Sequence, residues 1–229
     1  SRTLVTGLEG FTGRYILPAL EAAGHEVIGL GRSRKHSALT CEYHNVELLE
    51  ETELRKVVRE VRPDHVIHLA AIASVDHRKV DEIYTTNILG TRNLLSALTE
   101  VSAVPRSIVI ASSANIYGNA YQGKIAEVCA PAPANDYGVS KVATENIARI
   151  FADKLPITIT RPFNYTGVGQ GEDFLIPKIV GHARRRETEL RLGNIDVERD
   201  FSDVRMVAQA YVRLLMNPAA IGQTVNICS

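Results

Sequence analysis

Thr3-Leu4-Val5-Thr6 has the character of a short apolar strand, and Gly7-Leu8-Glu9-Gly10-Phe11-Thr12-Gly13 follows it without a break. Helical periodicity then runs from Tyr15 to Ala23, Gly24 sits where a C-terminal cap belongs, and His25 to Leu30 reads as the next strand. Strand, glycine turn, helix and strand within about 30 residues describe a βαβ unit. Glycines let backbone come close to a pyrophosphate, and the helix start offers unpaired N–H donors and the positive end of its dipole. The spacing is Gly-x-x-Gly-x-x-Gly rather than the Gly-x-Gly-x-x-Gly of many dehydrogenases. A tight turn that needs glycine for its own geometry is the plainer reading of the loop alone. Its place between strand and helix favours the phosphate.

The alternation continues. Glu51 to Val61 is a helix closed by Arg62-Pro63, and Asp64 to Leu69 is a third strand, near-continuously apolar as a buried parallel strand should be. It runs into the small residues Ala70-Ala71-Ile72-Ala73, which allow close approach of a ligand. Val80 to Leu98 reads as one long helix carrying Asn87, Gly90 and Asn93. A fourth strand, Ser107 to Ala111, ends in Ser112-Ser113-Ala114-Asn115-Ile116-Tyr117-Gly118. In an open parallel sheet ligands sit beyond the carboxyl ends of strands, so these hydroxyls are placed to meet substrate. His65 and His68 read as strand residues rather than ligands. Ile157 to Thr160 is another strand, followed by a helix from Leu175 to Arg185, a short strand from Glu189 to Leu192, a helix from Arg205 to Met216 and a last strand from Thr224 to Ile227. Arg184-Arg185-Arg186 is most simply a solvated helix end. With no closing helix after Ile227, the sequence reads as part of a longer chain. The predicted fold is α/β, a Rossmann-type doubly wound parallel sheet over residues 1–165, with 166–229 forming a smaller, interleaved substrate-binding lobe.

Composition narrows the function. Of 229 residues, 26 are basic and 26 acidic, leaving no basic surplus to attract nucleic acid or anionic lipid. No apolar run is long enough to span a bilayer, and no signal peptide pattern opens the chain at Ser1. Cys41, Cys129 and Cys228 are far apart, odd in number and without metal-ligand spacing, which suits reduced thiols in a cytoplasmic protein and predicts no metal.

Two stretches carry chemistry. The second strand ends Gly29-Leu30-Gly31-Arg32-Ser33-Arg34, where an NAD site usually has an Asp or Glu for the ribose 2′-hydroxyl. None stands there. Gly31 leaves room, and Arg32, Ser33 and Arg34 suit a 2′-phosphate, whose oxygens match the guanidinium fork. NADP(H) is therefore the preferred cofactor, with NAD(H) possible; a solvated basic loop is the plainer alternative. The second stretch is Asp136-Tyr137-Gly138-Val139-Ser140-Lys141, opening an amphipathic helix that runs to Phe151. Tyr137 and Lys141 lie one turn apart on the same face. An ammonium there is expected to pull the phenol pKa down from its reference of about 10, making Tyr137 a proton donor or acceptor.

Seven segments in the same order resemble the extended short-chain dehydrogenase/reductase superfamily, in its nucleotide-sugar epimerase, dehydratase and reductase branch. They are 6–13, 68–71, 83–95, 112–118, 137–141, 161–167 and 199–204. The resemblance implies that Gly7, Gly10 and Gly13, with Phe11 and Thr12, hold the cofactor pyrophosphate. It adds Leu69, Ala70, Ala71, Asn87, Pro162 and Phe163 to the cofactor-binding set. Tyr137 would exchange a proton with the sugar oxygen, Ser113 would hydrogen-bond that oxygen, and Lys141 would bind the nicotinamide ribose and lower the Tyr137 pKa. Asn115, Asn164 and Arg199 would meet the substrate, the last two at its diphosphate. Related proteins pair through helices matching Val80–Glu100 and Ser140–Phe151, so a homodimer is implied, with Leu94, Leu95, Leu98, Ile147 and Ile150 as its apolar surface or, equally, as core.

Within that branch, 4,6-dehydratases usually carry an acid just after the active-site hydroxyl. Ala114 and Asn115 stand there, and Asn cannot act as a general acid or base. That leaves reductase or epimerase. The segments 161–174 and 194–205 look most like the GDP-4-dehydro-6-deoxy-mannose reductases, which implies NADPH-dependent reduction of a 4-keto group on a nucleotide-linked 6-deoxyhexose. The alternatives are an NAD-dependent nucleotide-sugar 4-epimerase and a non-enzymatic dinucleotide sensor. The sensor predicts loss of Tyr137 or Lys141, and both are present.

Overall fold

The computed structural model describes residues 1–32, 40–73, 79–193 and 196–229. β1 (Arg2–Thr6) feeds the glycine turn, α1 (Gly13–Ala22) leaves it, and β2 (Glu26–Gly31) returns parallel to β1. β3 (Glu42–Asn45) pairs with the outer side of β2. After α2 (Glu51–Val61) the chain crosses over, and β4 (His65–His68) pairs with the other side of β1. β5 (Ser107–Ala111), β6 (Ile157–Pro162) and β9 (Thr224–Ile227) extend the sheet to seven parallel strands in the order β3-β2-β1-β4-β5-β6-β9. Strand order reverses between β1 and β4, and a doubly wound sheet opens its ligand crevice at such a reversal, beyond the carboxyl ends of the strands.

Both faces of the sheet are covered, which is why β4 is buried along its whole length. On one face Leu54 and Val57 of α2 pack with Leu94 and Leu98 of α4 (Gly90–Leu98) and Ala148 of α5 (Asp136–Ile150). On the other face Ile16 and Leu20 of α1 pack with Val207 and Tyr211 of α7 (Val204–Leu215). The chain between β6 and α7 holds α6 (Leu175–Arg185) and a two-stranded pair of β7 (Asn164–Thr166) with β8 (Phe201–Asp203). α7 and β9 thus return to the main sheet from within residues 166–229.

Several expectations change. The predicted helix Val80 to Leu98 is α3 (Val80–Tyr84), a π-helical turn over Thr85–Leu89, and α4. Glu189 to Leu192 is not a strand: the Arg191 carbonyl accepts from the Lys178 ammonium at 2.9 Å, and among the described residues no strand pairs with the segment. β3, β7 and β8 have three or four residues each, too few for a period-2 pattern to show. Arg184, Arg185 and Arg186 are exposed at the end of α6, as expected, and Arg185 pairs there with Glu172 and Glu187. Leu94, Leu95 and Leu98 are fully buried under the sheet and cannot form a surface between subunits. Ile150 is 71% exposed, and Ile147 packs partly against the core.

Candidate active site

A crevice of about 890 Å³ opens at the predicted end of the sheet. Its floor is the turn after β1. Gly7 has φ +72°, and a Cβ on it would stand 2.8 Å from the Ala70 amide nitrogen, so the turn needs glycine both for its backbone angle and for its approach to the end of β4. Thr6 Oγ1 accepts from that Ala70 N–H at 3.2 Å and contacts His68 Nδ1 at 2.7 Å, while His68 Nε2 contacts Thr91 Oγ1 at 2.9 Å. Burial pushes the His68 pKa down to about 3, so it is a neutral tie between β1, β4 and α4, not a catalytic group. The N-terminus of α1 has no side-chain cap and no acid in its first turn. Its positive end is left facing the crevice, which fits a pyrophosphate.

Gly7, Gly10, Phe11, Thr12, Gly13, Arg32, Leu69, Ala70, Ala71, Pro162 and Phe163 of the expected cofactor set all line this crevice. Ser33, with Arg34, lies outside the described residues. Asn87 does not line it. Its side chain is buried in the π-helical turn, where Oδ1 accepts from the Ile72 N–H at 2.8 Å and Nδ2 donates to the Ile72 carbonyl at 3.1 Å and to Ser140 Oγ at 3.0 Å. It shapes the loop after β4 from behind. Phe11 stacks on Tyr165, whose hydroxyl meets Thr12 Oγ1 at 2.8 Å.

The expectation about Gly31 also changes. A Cβ on Gly31 would lie 2.8 Å from Glu9 Oε1 and 2.5 Å from the Tyr43 hydroxyl, so the room it leaves is taken by a carboxylate and a phenol. An acid does reach the end of β2, but from the glycine turn rather than from the strand.

At the far end of the crevice stand Ser113, Asn115, Tyr137 and Lys141. Ser113 is the extended N-cap of a short 3₁₀ turn, and its Oγ accepts from Asn115 N and Nδ2, both at 3.1 Å. Asn135 caps α5, and Gly138 lets that helix start lean on the turn: a Cβ there would meet the Asn115 carbonyl at 2.8 Å. Tyr137 is 9% exposed and lines the crevice together with Ser113. The Lys141 ammonium donates to the Ala111 carbonyl at 2.7 Å and lies 5.8 Å from the centre of the Tyr137 ring. Burial pushes the Tyr137 phenol up, with Tyr165 adding to it and Ser113 opposing. The predicted lowering by Lys141 is absent because burial acts on both groups, and it brings the ammonium itself down to about 8 against the opposing field of Glu145.

Sequence reasoning missed a buried ion pair behind this group. Glu145 accepts from Arg161 Nε at 2.8 Å, from Arg161 Nη2 at 2.7 Å and from Ser112 Oγ at 2.7 Å. Arg161 Nη1 reaches on to the Tyr117 hydroxyl and the Glu127 carbonyl, at 2.8 and 2.9 Å. Burial alone would raise the Glu145 pKa, but the hydrogen bonds from Arg161 and Ser112 outweigh it and hold the carboxylate ionised. The available signal was an acid four residues after Lys141, on the same buried helix face as Tyr137 and Lys141.

Asn164 and Arg199 line the remaining wall, the Asn164 amide donating to the Asp200 carbonyl at 3.2 Å. Phe174, Leu175 and Ile176 join them there. Among the described residues no group of three His, Cys, Asp or Glu side chains is placed to hold a metal, and no helix is long and apolar enough to cross a membrane.

The profile of the NAD dependent epimerase/dehydratase family matches residues 3–228. A GDP-6-deoxy-D-mannose reductase of Pseudomonas aeruginosa is 36% identical, over all of this chain and 74% of its own length. A GDP-6-deoxy-D-talose 4-dehydrogenase of Aggregatibacter actinomycetemcomitans is 31% identical over the same shares. The crystal structure of a putative epimerase from Burkholderia cenocepacia superposes with a TM-score of 0.92 at 48% identity, covering 99% of this chain and 75% of that one. A Thermotoga maritima UDP-glucose 4-epimerase with UDP-glucose gives 0.91 at 25% identity, covering 100% and 77%. With a nucleotide-type crevice at the switch point of a doubly wound sheet and a family match along nearly its whole length, the chain belongs to the NAD dependent epimerase/dehydratase family, within the extended short-chain dehydrogenase/reductases, as an NAD(P)-dependent nucleotide-sugar enzyme.

Proposed function

We propose that this chain reduces the 4-keto group of a GDP-linked 4-keto-6-deoxyhexose to the alcohol. The observation that carries the reading is one crevice lined by Ser113, Tyr137 and Lys141, the ammonium 5.8 Å from the centre of the Tyr137 ring, with no acid at 114 or 115. The two GDP-sugar relatives support it. When bound, the nicotinamide cofactor supplies hydride to sugar C4. Ser113 and Tyr137 hold the 4-oxygen, and Tyr137 passes its phenolic proton to that oxygen as the C–O double bond becomes single. A phenol kept protonated by burial suits a donor in this direction. Lys141 offers N–H donors to ribose hydroxyls next to the Ala111 carbonyl. Asn164 and Arg199 take the diphosphate, and the segment from β7 to β8 serves as the substrate-binding lobe. The same reading extends to a homodimer through the outer face of α5.

The test mixes purified protein, GDP-4-keto-6-deoxymannose and NAD(P)H and follows nicotinamide absorbance. The expected result is a substrate-dependent fall, reduced at least about a hundredfold by Tyr137→Phe. Unchanged absorbance refutes the reductase. Conversion of UDP-glucose to UDP-galactose without net cofactor use would assign the 4-epimerase chemistry instead.

A further inference from the structure

We infer that Glu9, held in place by Tyr43, is the cofactor-selecting acid of this chain: it accepts the ribose 2′-hydroxyl of NAD(H) and repels the 2′-phosphate of NADP(H). The inference rests on the cofactor reading of the crevice and is independent of the sugar.

Three observations carry it. Glu9, Gly31 and Arg32 line the same end of the crevice, where the turn after β1 meets the end of β2. The Glu9 carboxylate fills the space over Gly31, with Oε1 2.8 Å and Oε2 3.0 Å from where a Cβ would stand. It is also anchored: the Tyr43 hydroxyl donates to Oε2 at 2.9 Å. Register fixes that anchor, since Tyr43 pairs with Gly29 across β2 and β3. The two glycines of β2 then share one explanation. A side chain on Gly29 would strike the Tyr43 ring, 2.9 Å from Cε2, and one on Gly31 would strike the hydroxyl and the carboxylate together. An Asp or Glu at the strand end, the usual arrangement, is sterically replaced by an acid delivered from the turn.

The chemistry sets the direction. An ionised carboxylate only accepts hydrogen bonds and offers about four lone-pair positions, of which Tyr43 uses one. A ribose hydroxyl donates to such a group with the strength of a charged acceptor. A 2′-phosphate has no proton to give at neutral pH and brings about two negative charges against a third. Among the described residues Arg32, exposed on the rim beside Gly31, is a cation at this end of the crevice, so neutralising Glu9 removes the negative charge set against it.

Calorimetric titration of the full chain with NAD⁺ and with NADP⁺ tests this without any turnover. The wild type is expected to bind NAD⁺ at least tenfold more tightly. Glu9→Gln, of the same shape but neutral, is expected to bring the two affinities within twofold or invert them, chiefly by tightening NADP⁺. A wild type that prefers NADP⁺, or a folded Glu9→Gln protein whose ratio is unchanged, overturns the inference. Should Glu9→Gln fail to fold, Tyr43→Phe keeps the carboxylate but frees it; NAD⁺ is expected to weaken three- to tenfold with NADP⁺ little changed, and equal weakening of both overturns the proposal. Absence of binding by either dinucleotide would overturn the cofactor reading itself, whereas failed sugar reduction with normal binding would leave Glu9 untouched.

Discussion

Lys141 holds an ammonium in a site 4% exposed, and that choice has a measurable cost. Its pKa inside the fold is about 8, while an unfolded lysine titrates near 10.4. Between those values the unfolded chain keeps a proton that the folded chain has shed, so the unfolded state binds more protons and stability from this site rises with pH. It is lowest below pH 8 and recovers as pH climbs toward about 10.4. Lys141→Met is therefore expected to be more stable than wild type at pH 7, by on the order of 1–2 kcal/mol after the lost bond to Ala111 is discounted. It should also be inactive, and its advantage should shrink between pH 8 and 10 in urea denaturation. A constant advantage would mean the ammonium is not strained by burial. Tyr137 shows why proximity in sequence did not give the proton affinity: spacing placed Lys141 one turn away, but burial of both partners set the sign.

Among elements, α5 depends on what lies behind it. Its outer turn presents Tyr137 and Lys141 to the crevice, and one turn further Glu145 locks the helix to β6 through Arg161 and to the end of β5 through Ser112. Removing one partner of a buried pair leaves the other charge unpaired, which costs about 3–5 kcal/mol. Glu145→Ala should lose stability of that order in chemical denaturation, while Arg149→Ala, removing the half-exposed partner of the same carboxylate, should lose under about 1 kcal/mol. The π-helical turn at Thr85–Leu89 has a similar service: it buries Asn87, which clamps Ile72 and Ser140 and so joins the loop after β4 to α5. The sequence showed Asn87 as a polar residue on a long helix. Its rotation inward needed the extra residue of a π turn, a detail that a 3.6-residue period does not reveal.

On the scale of the molecule, two faces of one sheet consume most of the apolar residues, including the leucines of α4 that a dimer surface would have used. Ile150, at 71%, is the more exposed of the two large apolar groups that α5 leaves on its outer side, the other being Val139 at 41%. If copies pair through that helix, the wild type sediments as a dimer and Ile150→Glu as a monomer; a monomeric wild type removes the pairing. The alternation of apolar strands and amphipathic helices was enough to determine a doubly wound parallel sheet, because burial on both faces writes itself into composition and period. The glycine turn and the Tyr137–Lys141 spacing likewise announced the two ends of the crevice, since each is local in the chain. What only the tertiary structure decided were relations between distant residues: Glu9 reaching over Gly31 against Tyr43, Arg161 meeting Glu145, and burial overruling an ammonium. Those depend on strand order and register, and on how much water the packed chain excludes, neither of which is carried by any short stretch of sequence.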